Sequence, residues 1–174
     1  DPSSMAVSTI GGNIAECSGG LRGLKYGTTK DYVLGLEAVL ANGEVIRTGG
    51  KLTKDVAGYD LTKLLVGSEG TLAVITEAIL KLIPRPTHKK TMLAMYKDIY
   101  GAARTVSKII ENRIIPATLE ILDNPTIRVV DDFAKLGLPR DMEAILIIEQ
   151  DGDQEAVERD IASIERICRG ELAD

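Results

Sequence analysis

The chain has 174 residues, 44% of them hydrophobic, and a net charge of −5 from 21 basic and 26 acidic side chains. That is enough apolar material for one ordinary domain or two small ones, filled mainly by Val, Ile and Leu because there are five Tyr, one Phe and no Trp. A mildly acidic chain without a basic run argues against nucleic acid and against a polybasic membrane grip, and no apolar stretch reaches the ~20 residues of a spanning helix.

The first half reads as strands and glycine turns. Val33 to Leu40 is apolar and rich in strand formers. Asn42-Gly43 is a hairpin signal, and Val45 to Thr48 returns. Asp60 is suited to cap a short helix from Leu61 to Val66, with Gly67 as its stop. Leu72 to Ile83 is a β-rich run, ended by Pro84-Arg85-Pro86 because proline cannot extend a central strand.

The second half alternates strand and helix. Met92 to Tyr96 reads as a short strand, followed by a helix from about Asp98 to Asn112 with Ile99, Ala102, Val106, Ile109 and Ile110 on one face. Ala117 to Leu122 is the next strand. Asn124-Pro125 reads as a helix start, with Ile127, Val130, Phe133 and Ala134 inward and an end near Gly137. Ala144 to Glu149 is apolar on both faces through Ile148, which predicts a central strand. Asp153 opens a last helix with Val157, Ile161, Ile164 and Cys168 inward, Glu155/Arg159 and Glu165/Arg169 as i,i+4 pairs, and Gly170 as its end. The helices near residues 98–112 and 153–169 are expected to cover one face of a small sheet. The boundary falls at about residues 84–91, giving segments 1–86 and 87–174.

Chemistry is sparse. Cys17 and Cys168 stand far apart with no CxxC or Cys/His cluster, which disfavours a structural zinc site and fits a reduced, cytoplasmic protein. His88 is the only histidine and follows Pro86 in the boundary stretch, so a triad or a His-based metal site is not expected. Asp131-Asp132 reads as solvated surface. Neither GxGxxG nor GxxxxGK[ST] occurs, and Gly67-Ser68-Glu69-Gly70 does not match a nucleophile elbow. Many of the 17 glycines cluster at Gly11-Gly12, at Gly19-Gly20 with Gly23 and Gly27, and at Gly67 with Gly70. Gly11-Gly12 suggests a tight turn opening a short helix over Ile14-Ala15-Glu16, with backbone N–H groups offered to a phosphate or a flavin carbonyl. Ordinary turn formation is the other reading of the same glycines.

The clusters resemble a known family. Ser8 to Glu16, Gly19-Gly20 and Lys25-Tyr26-Gly27 are similar to the middle of the FAD-binding domain of vanillyl-alcohol oxidase and its relatives. Gly58-Tyr59-Asp60-Leu61, Gly67 to Leu72 and Ile75-Thr76-Glu77 resemble its closing segment. Ile115-Pro116, Leu119-Glu120, Asp123-Asn124 and Ile127-Arg128 resemble the start of the C-terminal domain in the glycolate oxidase D-subunit and D-lactate dehydrogenase branch. The fold this implies is α+β: the C-terminal part of an FAD-binding domain (1–86) followed by half of a ferredoxin-like domain (87–174).

The resemblance also implies a site. Pro2, Ser3, Ser4, Ser8 and Thr9 match stretches that line the flavin. Gly11, Gly12, Ala15, Glu16, Ser18 and Gly19 match backbone contacts to the cofactor, and Glu69, Gly70, Ala73, Val74 and Ile75 match a stretch that binds FAD near the domain's end. Cys17-Ser18 replaces a common Asn-Ala, and Ala73 replaces a common Gly, adding a methyl near the expected contact. In the family the diphosphate-cradling loop lies upstream of Asp1, and the substrate arginine and catalytic and metal-binding histidines lie downstream of Asp174. The chain is thus expected to be an internal segment, without catalytic residues of its own, of an enzyme that oxidises a 2-hydroxy acid with non-covalent FAD. Partner subunits and self-association of the segment through an unpaired sheet edge are expected too. A non-catalytic flavin or nucleotide module and a structural subunit piece remain as alternatives.

Overall fold

The computed structural model describes residues 4–171. The chain divides into two compact units, one up to Pro84 and one from Arg85.

The first unit opens with α1 (Ile10–Glu16), α2 (Gly23–Tyr26) and a 3-10 turn at Thr29–Asp31. Its sheet comprises β1 (Val33–Leu40), β2 (Val45–Gly49) and β3 (Ala73–Leu80), antiparallel in the order β2-β1-β3, with α3 (Leu61–Leu65) between β2 and β3 in sequence. The hairpin turns through Ala41 to Glu44, where the Asn42 side chain accepts the Glu44 N–H at 3.0 Å. Asp60 caps α3 by accepting the Lys63 N–H at 2.9 Å. Ile14, Val33, Leu36, Ala38, Leu65, Val66 and Ala73 form the core. The face of β1 away from that core carries Glu37, which meets Arg47 of β2 and accepts the Thr76 hydroxyl of β3 at 2.9 Å.

The second unit runs β4 (His88–Tyr96), α4 (Ile99–Glu111), β5 (Thr118–Asp123), α5 (Asn124–Ala134), β6 (Ala144–Gly152) and α6 (Gln154–Glu171). The sheet order is β4-β6-β5, antiparallel throughout, so β6 is central as its two-sided apolar pattern requires. Ala94, Tyr96, Ala102, Ile109, Leu146, Ile148, Ile164 and Cys168 build the core between this sheet and the α4/α6 pair. The Tyr96 hydroxyl donates to Thr105 Oγ1 at 2.9 Å. Burial pushes both the Tyr96 phenol and the Cys168 thiol up from their ordinary values.

Several sequence expectations need correction. His88, Lys89 and Lys90 belong to β4, paired with Gly152, Asp151 and Gln150, and not to a linker. The buried positions of α4 are Gly101, Ala102, Thr105 and Ile109, while Ile99 and Ile110 are exposed. Asp123 is the N-cap of α5 and accepts the Thr126 N–H at 3.0 Å. Asn124 is instead the first helical residue, and its amide donates to the carbonyls of Arg140 and Met142. Of the residues assigned inward on α5, Ile127 is fully buried but Phe133 is 92% exposed. The helix ends at Ala134, with Lys135 in the left-handed conformation. Gly170 lies inside α6 and does not end it, and Arg159 donates to Asp160. Glu165 and Arg169 do pair, at 2.7 Å.

Candidate functional site

The candidate flavin segments are built from α1 upward. Thr9 caps α1 by accepting the Gly12 N–H on Oγ1 at 3.0 Å, and its carbonyl accepts the Asn13 N–H at 2.9 Å. Gly11 and Gly12 therefore sit in the first turn of the helix, not in a turn before it. Ser4 folds back on this entry: its carbonyl accepts the N–H groups of Val7 and Ser8 at 2.9 and 2.8 Å. Pro2 and Ser3 lie outside the described residues.

The end of α1 joins the second glycine cluster. The Gly67 N–H donates to the Ile14 carbonyl and the Glu69 N–H to the Ala15 carbonyl, each at 3.0 Å. A Cβ on Gly67 would lie 2.9 Å from Cys17 Cβ, and its φ of +83° is one that an L side chain rarely adopts. Cys17 and Glu69, on either side of this junction, both hold left-handed backbone at φ 52°. Such conformations cost a non-glycine residue on the order of 1 kcal/mol or more, and persist where the surroundings fix them. The junction explains the small residue at position 17 without any thiol chemistry.

Thr29 fixes the next stretch. Its N–H and its hydroxyl both donate to the Ser18 carbonyl, at 3.0 and 2.8 Å. The Thr28 methyl would meet a Cβ on Gly19 at an ordinary 3.5 Å. Sequence reading did not mark Thr28-Thr29, because a threonine pair carries no motif; only their place after a glycine cluster hints at a clamp.

Gly70 lies one residue beyond the junction, in a turn closed by the Thr71 N–H on the Ser68 carbonyl at 2.9 Å. Ala73 then enters the core at 5% exposure, so its methyl points into the protein and does not obstruct a ligand at the surface. Val74 is 64% exposed and Ile75 half-buried. The structure thus brings Ala15 together with Glu69, while it keeps the Ala73 side chain buried.

Two observations fit a bound cofactor. The Ser8 hydroxyl oxygen is buried and meets no hydrogen-bond partner among the described residues, a costly state that a ligand acceptor or donor relieves. Gly11 has ordinary helical backbone, and a Cβ built there would meet nothing within 4 Å. Neither packing nor conformation within the described chain calls for glycine at that position, whereas close approach of a flat or anionic group does. Among the described residues no group of three or more His, Cys, Asp or Glu is placed to hold a metal ion, and no helix is long and apolar enough to cross a membrane.

Comparison with known proteins agrees with these features. The C-terminal domain of FAD linked oxidases matches residues 85–174, and an FAD binding domain matches residues 1–49. The glycolate oxidase subunit GlcD of Bacillus subtilis (strain 168) is 68% identical over 169 residues, which is 97% of this chain and 36% of that protein. A D-lactate dehydrogenase of Archaeoglobus fulgidus is 39% identical over 153 residues, 87% of this chain and 34% of its own. The chain thus spans about a third of the length of the curated relatives it matches. A solved structure of alkyldihydroxyacetonephosphate synthase superposes with a TM-score of 0.78 at 23% identity, covering 98% of this chain and 33% of that one, which establishes a shared fold. By its sequence, its two-unit architecture and the domain that occupies its second half, this chain belongs to the family of FAD-linked oxidases.

Proposed function

We propose that this chain is part of an FAD-dependent oxidoreductase that oxidises a 2-hydroxy acid, glycolate or D-lactate. In this reading residues 1–86 belong to the flavin domain and 87–174 to the C-terminal domain. The observation that carries it is the junction of Ile14 and Ala15 with Gly67 and Glu69, which ties the helix that carries Gly11 and Gly12 to the second glycine cluster, together with the orphaned Ser8 hydroxyl just before that helix. The names of the relatives, a glycolate oxidase subunit and a D-lactate dehydrogenase, support the substrate class.

FAD, when bound, supplies a two-electron acceptor for the hydrogen on the hydroxyl-bearing carbon. The chain's own residues bind and orient. Ser8 offers its hydroxyl. Gly11, Gly12, Ser18, Gly19 and Gly70 offer backbone with little bulk, and Ala15, Glu16, Glu69 and Ala73 to Ile75 border the same site. Ser4 and Thr9 complete the lining. Binding is non-covalent: His88 is tied into β4 beside Glu158, and Cys17 is packed at the Gly67 junction. The enzyme works in the cytoplasm with partner subunits.

The test is Gly11→Ala in the complete oxidase. Alanine favours helix over glycine by about 1 kcal/mol and meets no neighbour, so the apoprotein should melt at the same temperature or higher. The flavin-to-protein absorbance ratio should nevertheless fall. A normal ratio refutes the site. Anaerobic addition of glycolate or D-lactate should bleach the visible flavin band of the wild type, and a band that persists with both refutes the substrate class.

A further inference from the structure

The tip of the β1–β2 hairpin carries chemistry that the proposed flavin site does not use. Of the chain's four asparagines only Asn42 precedes a glycine, and Asn42, Gly43 and Glu44 are all exposed. An Asn-Gly pair reacts with itself when its conformation allows. The Gly43 nitrogen gives up its proton to solvent and bonds to Cγ of Asn42. The Cγ–Nδ2 bond breaks, and Nδ2 takes up a proton and leaves as ammonia. Water then opens the resulting succinimide at one carbonyl or the other, giving aspartate or isoaspartate. Glycine favours the attack because it has no side chain to shield its nitrogen.

The folded hairpin engages both reacting groups. The Gly43 N–H donates to the Leu40 carbonyl at 2.9 Å, from a left-handed backbone with φ of +86°. The Asn42 amide is held at both ends by Glu44: Oδ1 accepts the Glu44 N–H at 3.0 Å, and Nδ2 donates to Glu44 Oε2 at 2.8 Å. For the reaction the nucleophile must leave Leu40 and the amide must turn away from Glu44. Local opening permits both. β2 stands at the edge of the sheet order β2-β1-β3 and buries only Thr48, so it is held loosely. We infer that Asn42-Gly43 is a latent deamidation site, held shut by the Leu40 carbonyl and the Glu44 side chain and released when the hairpin opens. Either product hinders reclosure. Aspartate sets a second carboxylate beside Glu44 in place of an amide donor. Isoaspartate adds a main-chain carbon to the turn that sets the Val39–Val45 register.

Peptide mapping tests this. The folded chain, the chain unfolded in urea and the folded variants Glu44→Ala and Glu44→Gln are held at mildly alkaline pH. The tryptic peptide of residues 31–47 is then followed by mass for exchange of its amide for an acid. Unfolding should speed the reaction at least about tenfold. Glu44→Ala removes one hydrogen bond and should speed the folded reaction about fivefold, with unchanged circular dichroism. Glu44→Gln keeps an acceptor and should stay close to the wild type. Equal rates in the folded and unfolded chain, or a Glu44→Ala no faster than the wild type, overturn the inference. So does a product that is aspartate alone, since direct hydrolysis of the side chain would then bypass the Gly43 nitrogen.

Discussion

Thr9 and Gly12 form a matched pair, since a Cβ on Gly12 would sit 3.1 Å from the capping Oγ1. Gly12→Val therefore strikes the cap and the proposed cofactor surface together. We expect a loss of about 1 kcal/mol from the cap alone, a lower flavin-to-protein ratio in the complete oxidase, and unaltered folding of the second unit, all readable by absorbance and thermal denaturation. Glu171 offers a pH test. Hydrogen bonds from Lys108 and then Arg104 hold its carboxyl below the ordinary glutamate range. A carboxyl depressed in the folded state contributes stability that is complete above its unfolded value and is lost as pH falls through the folded one. The melting temperature should thus drop as pH falls below the ordinary glutamate range, and Glu171→Gln should show a shallower drop. Cys168 is buried with a raised thiol, so a thiol reagent should label it only after unfolding; labelling of the native protein at position 168 would contradict the packing.

At the scale of elements, two helical glycines have opposite roles. A Cβ on Gly101 would lie 2.9 Å from the Glu171 carbonyl oxygen, whereas one on Gly170 would meet nothing within 4 Å. Gly101→Ala should destabilise by roughly 1–3 kcal/mol through overpacking between α4 and α6. Gly170→Ala should be neutral or stabilise by up to about 1 kcal/mol. Denaturant titration of both variants checks the difference in sign. The same closeness of α4 to α6 explains what the sequence concealed. Periodicity located α4 and placed Ala102 and Ile109 inward as observed, but it also took Ile99 and Ile110, whereas the tight helix pair buries the small Gly101 and Thr105 instead. The start of β4 was hidden because His88-Lys89-Lys90 has no strand pattern of its own. It is a strand because β6, some sixty residues away, supplies its hydrogen bonds, and lysines suit an edge. The asparagine of Asn124-Pro125 drew the cap one residue too far, since aspartate at 123 serves equally well. α2 and the turn at Thr29–Asp31 are too short to leave a periodic trace.

For the whole molecule, the order of elements was legible, and the joining of the segments proposed to hold the cofactor was not. Glycine spacing marked the three clusters, but nothing local in the sequence says that Ile14 meets Gly67 or that Ala73 turns its methyl inward. Those facts depend on sheet pairing. The chain on its own presents about a third of the relatives' length, and each charge-assisted hydrogen bond missing from a diphosphate cradle costs ~1.5–3 kcal/mol. Isolated, it should bind FAD far more weakly than the complete oxidase, and calorimetry yielding a sub-micromolar dissociation constant would contradict that. The junction between residues 14–15 and 67–69 also sets a timetable. Its two sides are joined by a loop of about fifty residues that contains β1, β2 and α3, and a contact of that span forms late, after the local hairpin has closed. A ribosome must release the chain beyond Gly70 before the surface exists at all. With the flavin bound at this junction, as proposed, its capture follows folding of the first sheet, so a variant that slows β1–β3 pairing would yield apoprotein during rapid synthesis even where the finished site is intact.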